Sequence, residues 1–217
     1  MRNLSRAAKR DCFVCCSNSE APRLAETART VSRSLRMTMT SAANILITGL
    51  PGSGKTTLIR RLADELRECG PTGFLSEEIR EQGVRKGFRL ATFDGARTGV
   101  LAHVDIKGTS RVGRYGVDLE GFERLLADLH AQGPSLRVVI IDEIGKMECL
   151  SAMFRRMVSS LLDAPALFIA TIALHAGGFI EEIKHRPDVL LYEIDERNRE
   201  ALLVDIIKRI RSLAALP

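Results

Sequence analysis

Nowhere in its 217 residues does the chain hold an apolar run long enough to cross a membrane. A membrane-spanning helix is therefore excluded. Histidine is scarce: His103, His130, His175 and His185 are scattered and show no ligand spacing. Of five cysteines, Cys12, Cys15 and Cys16 cluster near the start, while Cys69 and Cys149 stand alone. Cys12-x-x-Cys15 has no second Cys or His pair to complete a zinc set. The simplest compartment for such a set is a reducing one. Once the first 43 residues are set aside, an excess of one charge is missing too. Those residues carry eight basic and three acidic side chains, whereas residues 44–217 carry 24 of each. The sequence pI of about 9.1 thus describes the amino-terminal segment. The remainder offers no electrostatic footprint for nucleic acid. No internal repeat is present.

Residues 1–43 are rich in Arg, Ser and Thr, lack hydrophobic periodicity and are too polar for a signal peptide. Three readings stay open: a disordered tail, an organelle transit peptide, or an upstream extension of a chain that starts at Met37 or Met39. Residues 44–217 have the length and composition of one domain with a full core. The expected location is the cytoplasm, with organelle targeting by residues 1–43 as the alternative.

What is present begins at residue 45. Ile45-Leu46-Ile47-Thr48 runs into Gly49-Leu50-Pro51-Gly52-Ser53-Gly54-Lys55-Thr56-Thr57, which fits G-x-x-x-x-G-K-[ST]. Leu58, Ile59, Leu62, Ala63 and Leu66 then follow at helical spacing. Strand, glycine loop and helix together form a phosphate-binding P-loop. Gly49, Gly52 and Gly54 allow the backbone to curl with its amides inward, through φ values closed to other residues. The amides and the helix N-terminus present positive charge to the β- and γ-phosphates. Lys55 adds a full charge, and the Thr56 hydroxyl is a candidate Mg²⁺ ligand. The whole loop, Gly49 to Thr57, is expected to contact nucleotide.

Beyond Gly70-Pro71, short strands punctuated by glycine are expected at 73–75, 78–80, 87–93 and 99–104, with Asp94-Gly95 as a turn between the last two. This reads as an antiparallel insert in an α/β frame. Helical spacing returns over 119–130. A continuous apolar strand at 137–141 has the character of a central parallel strand. Ser151 is placed to cap the next helix. A strand at 166–172, a helix near 179–185, a strand at 189–194 and a helix over 199–213 complete an alternation that predicts a largely parallel sheet covered on both faces.

The 137–141 strand ends in Asp142-Glu143, at the edge where parallel sheets bind ligands. Asp142 there completes a Walker B pattern and is the expected second holder of Mg²⁺. Glu143 either orients and deprotonates the attacking water or is a supporting carboxylate. Lys146 either reaches the γ-phosphate region or pairs with Glu148.

The run Asp142-Glu143-Ile144-Gly145-Lys146-Met147-Glu148, followed by Ser151 and Phe154, resembles the THEP-type nucleoside triphosphatases, also called the cancer-related nucleoside triphosphatase family. Gly73-Phe74 with Glu78-Ile79-Arg80 is similar to it. So are 83–88, 111–117 and Asn198-Arg199 before the last helix. The resemblance spans about 44–211. It implies a RecA-like P-loop fold and a monomeric or weakly associating chain. It also implies slow Mg²⁺-dependent hydrolysis of ATP, GTP and other nucleoside triphosphates. Gly177-Gly178-Phe179 departs from the family's basic or proline-bearing turn. Gly145, Lys146, Asn198 and Arg199 join the expected nucleotide-binding set. For the last two, base contact and helix capping remain alternatives.

Arg80, Arg85, Arg89, Arg111 and Arg114 either supply charge to the transferring phosphoryl group or solvate a strand edge. Tyr115 either stacks on a base or packs as an aromatic. Two other functions compete with hydrolysis: a P-loop nucleotide or small-molecule kinase, and a nucleotide-gated interaction module. The sequence lacks the Asn-Lys-x-Asp motif of regulatory GTPases and the Leu-Ser-Gly-Gly-Gln signature of transporter ATPases.

Overall fold

In a computed structural model, the described residues are 43–130 and 137–214. Strand β1 (Ala43–Thr48) leads through the glycine loop into helix α1 (Lys55–Glu65). Next come β2 (Thr72–Glu81), β3 (Val84–Thr92), β4 (Thr98–His103), β5 (Arg111–Val112), β6 (Tyr115–Val117) and α2 (Leu119–His130). After the gap come β7 (Val138–Ile144), α3 (Ala152–Leu162), β8 (Leu167–Ile172), α4 (Phe179–Lys184), β9 (Val189–Glu193) and α5 (Arg199–Ala214). Among the described residues nine strands form one sheet in the order β5-β6-β4-β3-β2-β7-β8-β1-β9. The five from β2 to β9 are parallel neighbours, and the other four extend the sheet antiparallel.

The apolar runs are continuous because the central strands are covered on both faces. Alternate residues feed two separate cores. Ile45 and Ile47 of β1, with Val138 and Ile140 of β7, pack with Leu58, Ile59 and Leu62 of α1 and Leu202 and Ile206 of α5. Leu46, Val139, Ile141 and Phe168 face the opposite way, toward Phe122 of α2 and Phe154 and Val158 of α3. There Phe74, Phe122 and Phe154 cluster, with Phe74 and Phe122 edge to face at 5.9 Å between centroids. Each such ring is worth about 1.5–3 kcal/mol from burial alone. Ser151 caps α3 as expected, its Oγ accepting from the Phe154 amide at 3.0 Å.

Two expectations change. The segments 73–75 and 78–80 are one strand, β2, because it serves two partners. Thr72–Phe74 pairs in parallel with β7, and Phe74–Glu81 pairs antiparallel with β3. Glycine is required at 73, where φ is +120° and a Cβ would lie 1.9 Å from the Ile140 carbonyl oxygen. The ladder β5-β6 was not among the strands expected from the pattern. The proposed helices at 119–130 and 199–213 are present, as is the strand at 166–172. Residues 1–42, including the Cys12-x-x-Cys15 segment, Met37 and Met39, lie outside the described residues.

The insert arginines are held within the insert, and Arg80, Arg85 and Arg89 lie on interior strands and not at a sheet edge. Arg80 and Arg85 pair with Glu78, and Arg89 pairs with Glu77. Arg111 donates to the carbonyl oxygens of Ile106 and Arg114. Tyr115 is a buried packed aromatic: its ring lies 5.4 Å from that of Phe88, and its hydroxyl accepts from Arg85 and Arg114.

Candidate functional site

The connections reverse direction between β1 and β8. From β1 the chain crosses to β2 on one side, and from β8 to β9 on the other. The crevice at such a reversal is where open parallel sheets bind ligands. The glycine loop sits there. Gly52 has φ +80° and Gly54 has φ +101°. Gly49 is fixed by close approach, since a Cβ would fall 2.4 Å from the Ile194 carbonyl oxygen. Gly54 is the N-cap of α1 and brings no side-chain acceptor. The first-turn amides of α1 therefore keep their side-chain cap position empty, the arrangement an anion can fill.

Leu50, Pro51 and Gly52 form the exposed tip of the loop, and Thr57 is exposed on α1. Lys55 folds over the loop, its Nζ donating to the carbonyl oxygens of Gly49 at 2.9 Å and Leu50 at 3.2 Å. The Ser53 hydroxyl is buried with no hydrogen-bond partner among the described residues, as is that of Thr48 at the end of β1. Buried polar atoms of this kind need a partner, and both lie at the base of the phosphate loop.

The second half of the site comes from β7. Its regular pairing with β8 breaks between Ile141 and Ile144, which takes Asp142 and Glu143 out of the ladder. The peptide bond between them is cis. Asp142 is 1 % exposed. Its Oδ1 accepts a 2.6 Å hydrogen bond from Thr171 Oγ1 on β8, and its Oδ2 has no partner among the described residues. Burial raises its pKa, opposed by the hydroxyls of Thr171 and Thr56 and the charge of Lys55. Glu143 is half-buried, and burial raises its pKa as well, with Lys55 opposing and Asp142 reinforcing.

Asp142 Oδ2, with the Thr56 hydroxyl close by, suits a hard divalent cation that needs oxygen ligands. Among the described residues no group of three or more His, Cys, Asp or Glu forms a cage of its own. A cation here would draw its other ligands from water and phosphate, the usual habit of Mg²⁺.

The remaining predicted residues divide. Arg199, the first residue of α5, donates through Nε to the Ser53 carbonyl oxygen at 2.7 Å and through Nη2 to that of Gly52 at 3.2 Å. It grips the loop backbone. Asn198 closes the turn before α5, donating to the Glu193 carbonyl oxygen and accepting from the Asp195 amide, both at 2.9 Å. The proposed Lys146–Glu148 pair is not formed. Lys146 is exposed and lines a cavity of about 450 Å³ with Cys149, Arg155 and Phe179, while Glu148 is buried. Gly177 lines the same cavity. A Cβ on Gly145 would lie 2.7 Å from Glu148 Oε2 and 3.0 Å from Glu143 Oε1.

Thr171 was missed by sequence reading. Its signal was faint: one hydroxyl in the apolar run Leu-Phe-Ile-Ala-Thr-Ile. The role of Arg199 as a loop clamp was missed because it links residues 146 apart.

A glycine loop opening an uncapped helix, facing a buried carboxylate across an intervening strand, defines a RecA-like P-loop nucleoside-triphosphate protein. The family model described as NTPase matches residues 44–207. A second, that of the methylmalonyl Co-A mutase-associated GTPase MeaB, matches only residues 13–72. The chain is 43 % identical over 168 residues to nucleoside-triphosphatase THEP1 of Thermotoga maritima, covering 77 % of this chain and 95 % of that one. It is 39 % identical over 188 residues to the human cancer-related nucleoside-triphosphatase, covering 79 % and 98 %. The crystal structure of THEP1 from Aquifex aeolicus superposes with a TM-score of 0.68 at 34 % identity, covering 77 % and 98 %. The chain belongs to this NTPase family.

Proposed function

We propose that the protein hydrolyses nucleoside triphosphates, ATP and GTP among them, to the diphosphate and phosphate in a Mg²⁺-dependent reaction. The carrying observation is the orphaned Asp142 Oδ2 beside Thr56, at the foot of a glycine loop whose helix is uncapped. In this reading residues 44–217 are the working domain and the chain acts as a monomer. Among the described residues Cys69 and Cys149 are not joined in a disulfide, which suits the cytoplasm.

Thr56 and Asp142 would hold the metal, which when bound offsets negative charge on the β- and γ-phosphate oxygens. The loop amides from Gly49 to Thr56 would receive the same oxygens. Lys55 would exchange its two loop carbonyls for the phosphates. Thr171 keeps Asp142 oriented with one oxygen free. Glu143 would accept a hydrogen bond from the attacking water, align it with the γ-phosphorus and take its proton as the bond to phosphorus forms. A carboxyl whose pKa burial has raised is the better base for this. The relatives bear triphosphatase names, which favours water over a kinase acceptor.

Phosphate release across a panel of nucleoside triphosphates, with and without Mg²⁺, tests the reading directly. Two substitutions separate the carboxylates. Asp142→Asn should weaken nucleotide affinity and Mg²⁺ dependence together. Glu143→Gln should bind Mg²⁺-ATP near normally by calorimetry and turn over about 10²–10⁴-fold more slowly, the span for a lost general base. Hydrolysis at the parent rate in Glu143→Gln would remove Glu143 from the mechanism.

A further inference from the structure

The cavity of about 450 Å³ beside Lys146 takes no part in the reaction drawn above, and no residue of the phosphate loop lines it. Its walls come from the turn after β7, the first turn of α3, the β8–α4 connection and the start of α4. All of these lie downstream of the carboxyl ends of β7 and β8, the side on which α/β sheets take ligands. Its volume is that of a small-molecule site.

The lining is divided in character. Phe179, half-buried, and Ile180, 3 % exposed, make an apolar side. Lys146 and Arg155 bring two positive charges, and no acidic side chain is among the lining residues. Among the described residues neither cation forms an ion pair, whereas Lys184, also on α4, is paired with Glu181. Glu148, two residues from Lys146, is buried. Arg155 is held in place, because Nη1 donates to the Cys149 carbonyl oxygen. That contact uses one of the five N–H donors of a guanidinium and leaves the rest of the fork for a ligand. Two cations without a counter-charge, beside an apolar wall, match an anion of about two charges that carries an apolar body. Gly177 leaves the lining low: a Cβ there meets no heavy atom within 4 Å, and its φ lies outside the left-handed region. A side chain at 177 is therefore accommodated without strain.

We propose that this cavity is a second ligand site, separate from the phosphate loop, for a small organic dianion: a phosphate monoester or a dicarboxylate with an apolar body. Lys146 and the free edge of Arg155 take the charged end. Phe179 and Ile180 take the body.

The test titrates the ¹⁵N-labelled full chain with phenyl phosphate and with phthalate, following backbone amide shifts by NMR. Benzyl alcohol is the neutral control, and inorganic phosphate is the anion without a body. One or both organic anions should shift the amides of Cys149, Gly177 and Phe179, with a Kd of about 1 mM or tighter. The tighter of the two identifies the head group as phosphate or carboxylate. Benzyl alcohol and inorganic phosphate each lack half of the match and should bind about tenfold more weakly or worse. Saturating Mg²⁺-ADP should leave the Kd within about twofold, as for independent sites. Arg155→Gln removes one charge, and Gly177→Glu adds a carboxylate to the lining. Each should weaken the organic anions about tenfold. No binding of either organic anion overturns the proposal, as do shifts confined to the phosphate-loop amides or loss of the anion when Mg²⁺-ADP is added. So does a control bound as tightly as the organic anions, or parent affinity in both variants.

Discussion

Thr171 Oγ1 on β8 donates a 2.6 Å hydrogen bond to Asp142 Oδ1 on β7, one step beyond the last regular pair of those strands, Ile141 and Ala170. The bond occupies one oxygen of the carboxylate and leaves the other for a ligand. Thr171→Val keeps the β-branched shape that a buried strand favours and removes the donor. The carboxylate then loses the Thr171 hydrogen bond in a fully buried setting. We expect stability to fall by about 1.5–3 kcal/mol, as for other hydrogen bonds to charged groups. The Mg²⁺ concentration for half-maximal phosphate release should rise. Urea unfolding and a Mg²⁺ titration measure the two effects, and a variant matching the parent in both would show that Thr171 does not position Asp142.

Arg199 ties α5 to the glycine loop through two carbonyl oxygens. Its side chain also packs on Gly54, where a Cβ would meet Nε at 2.9 Å. Lysine has no planar fork to span both acceptors. Arg199→Lys should therefore loosen the loop and weaken nucleotide binding by about tenfold, equivalent to about 1.4 kcal/mol. The loss should be equal for ATP and GTP, because the contact is with the loop and not the base. Calorimetry with both nucleotides decides this. A loss that falls on one base alone would return Arg199 to the base-contact reading.

Most of the frame is legible in the sequence because its determinants are local. The run from Ile45 to Thr48, the glycine spacing from Gly49 to Gly54 and the cap at Ser151 each write their structure within a few residues. The phosphate loop and Asp142 are read the same way. What is lost has distant causes. Strand β2 is continuous because β7 and β3 hold its two parts. Strands β5 and β6 have two and three residues, too few to show an alternation. Thr171 and Arg199 gain their roles only when the sheet order brings β8 to β7 and α5 to the loop. Glu148 looks like a surface partner for Lys146 until the turn after β7 sends one inward and the other outward.

Strand β1 is held on both sides, by β8 from Ala43 and by β9 from Asn44, and the family match also begins at residue 44. Among the described residues, the strand that leads into the phosphate loop is thus paired on both sides. A chain starting at Met39 should keep the parent kcat and melting temperature. A fall of several degrees on this truncation would show that the removed segment packs on the domain, since about 1 kcal/mol moves the melting point by 2–4 °C at this size.

The buried acid at Glu148 also makes stability depend on pH with a sign opposite to that of a salt-bridged carboxylate. Unfolded, its carboxyl ionises near the ordinary value of 4.5, whereas folded it is pushed up to about 8 by burial and by Glu143 and Asp142. Between those values the folded chain keeps a proton that the unfolded chain releases. Stability from this group is present in full below the unfolded value and is lost as pH rises through the folded one. The slope approaches about 1.4 kcal/mol per pH unit, the cost of one unit of pKa difference. Glu148→Gln cannot ionise, so it lacks this slope. Urea unfolding of the metal-free protein from pH 5.5 to 8.5 should show the variant gaining on the parent as pH rises. Parallel curves would mean that Glu148 ionises alike in both states.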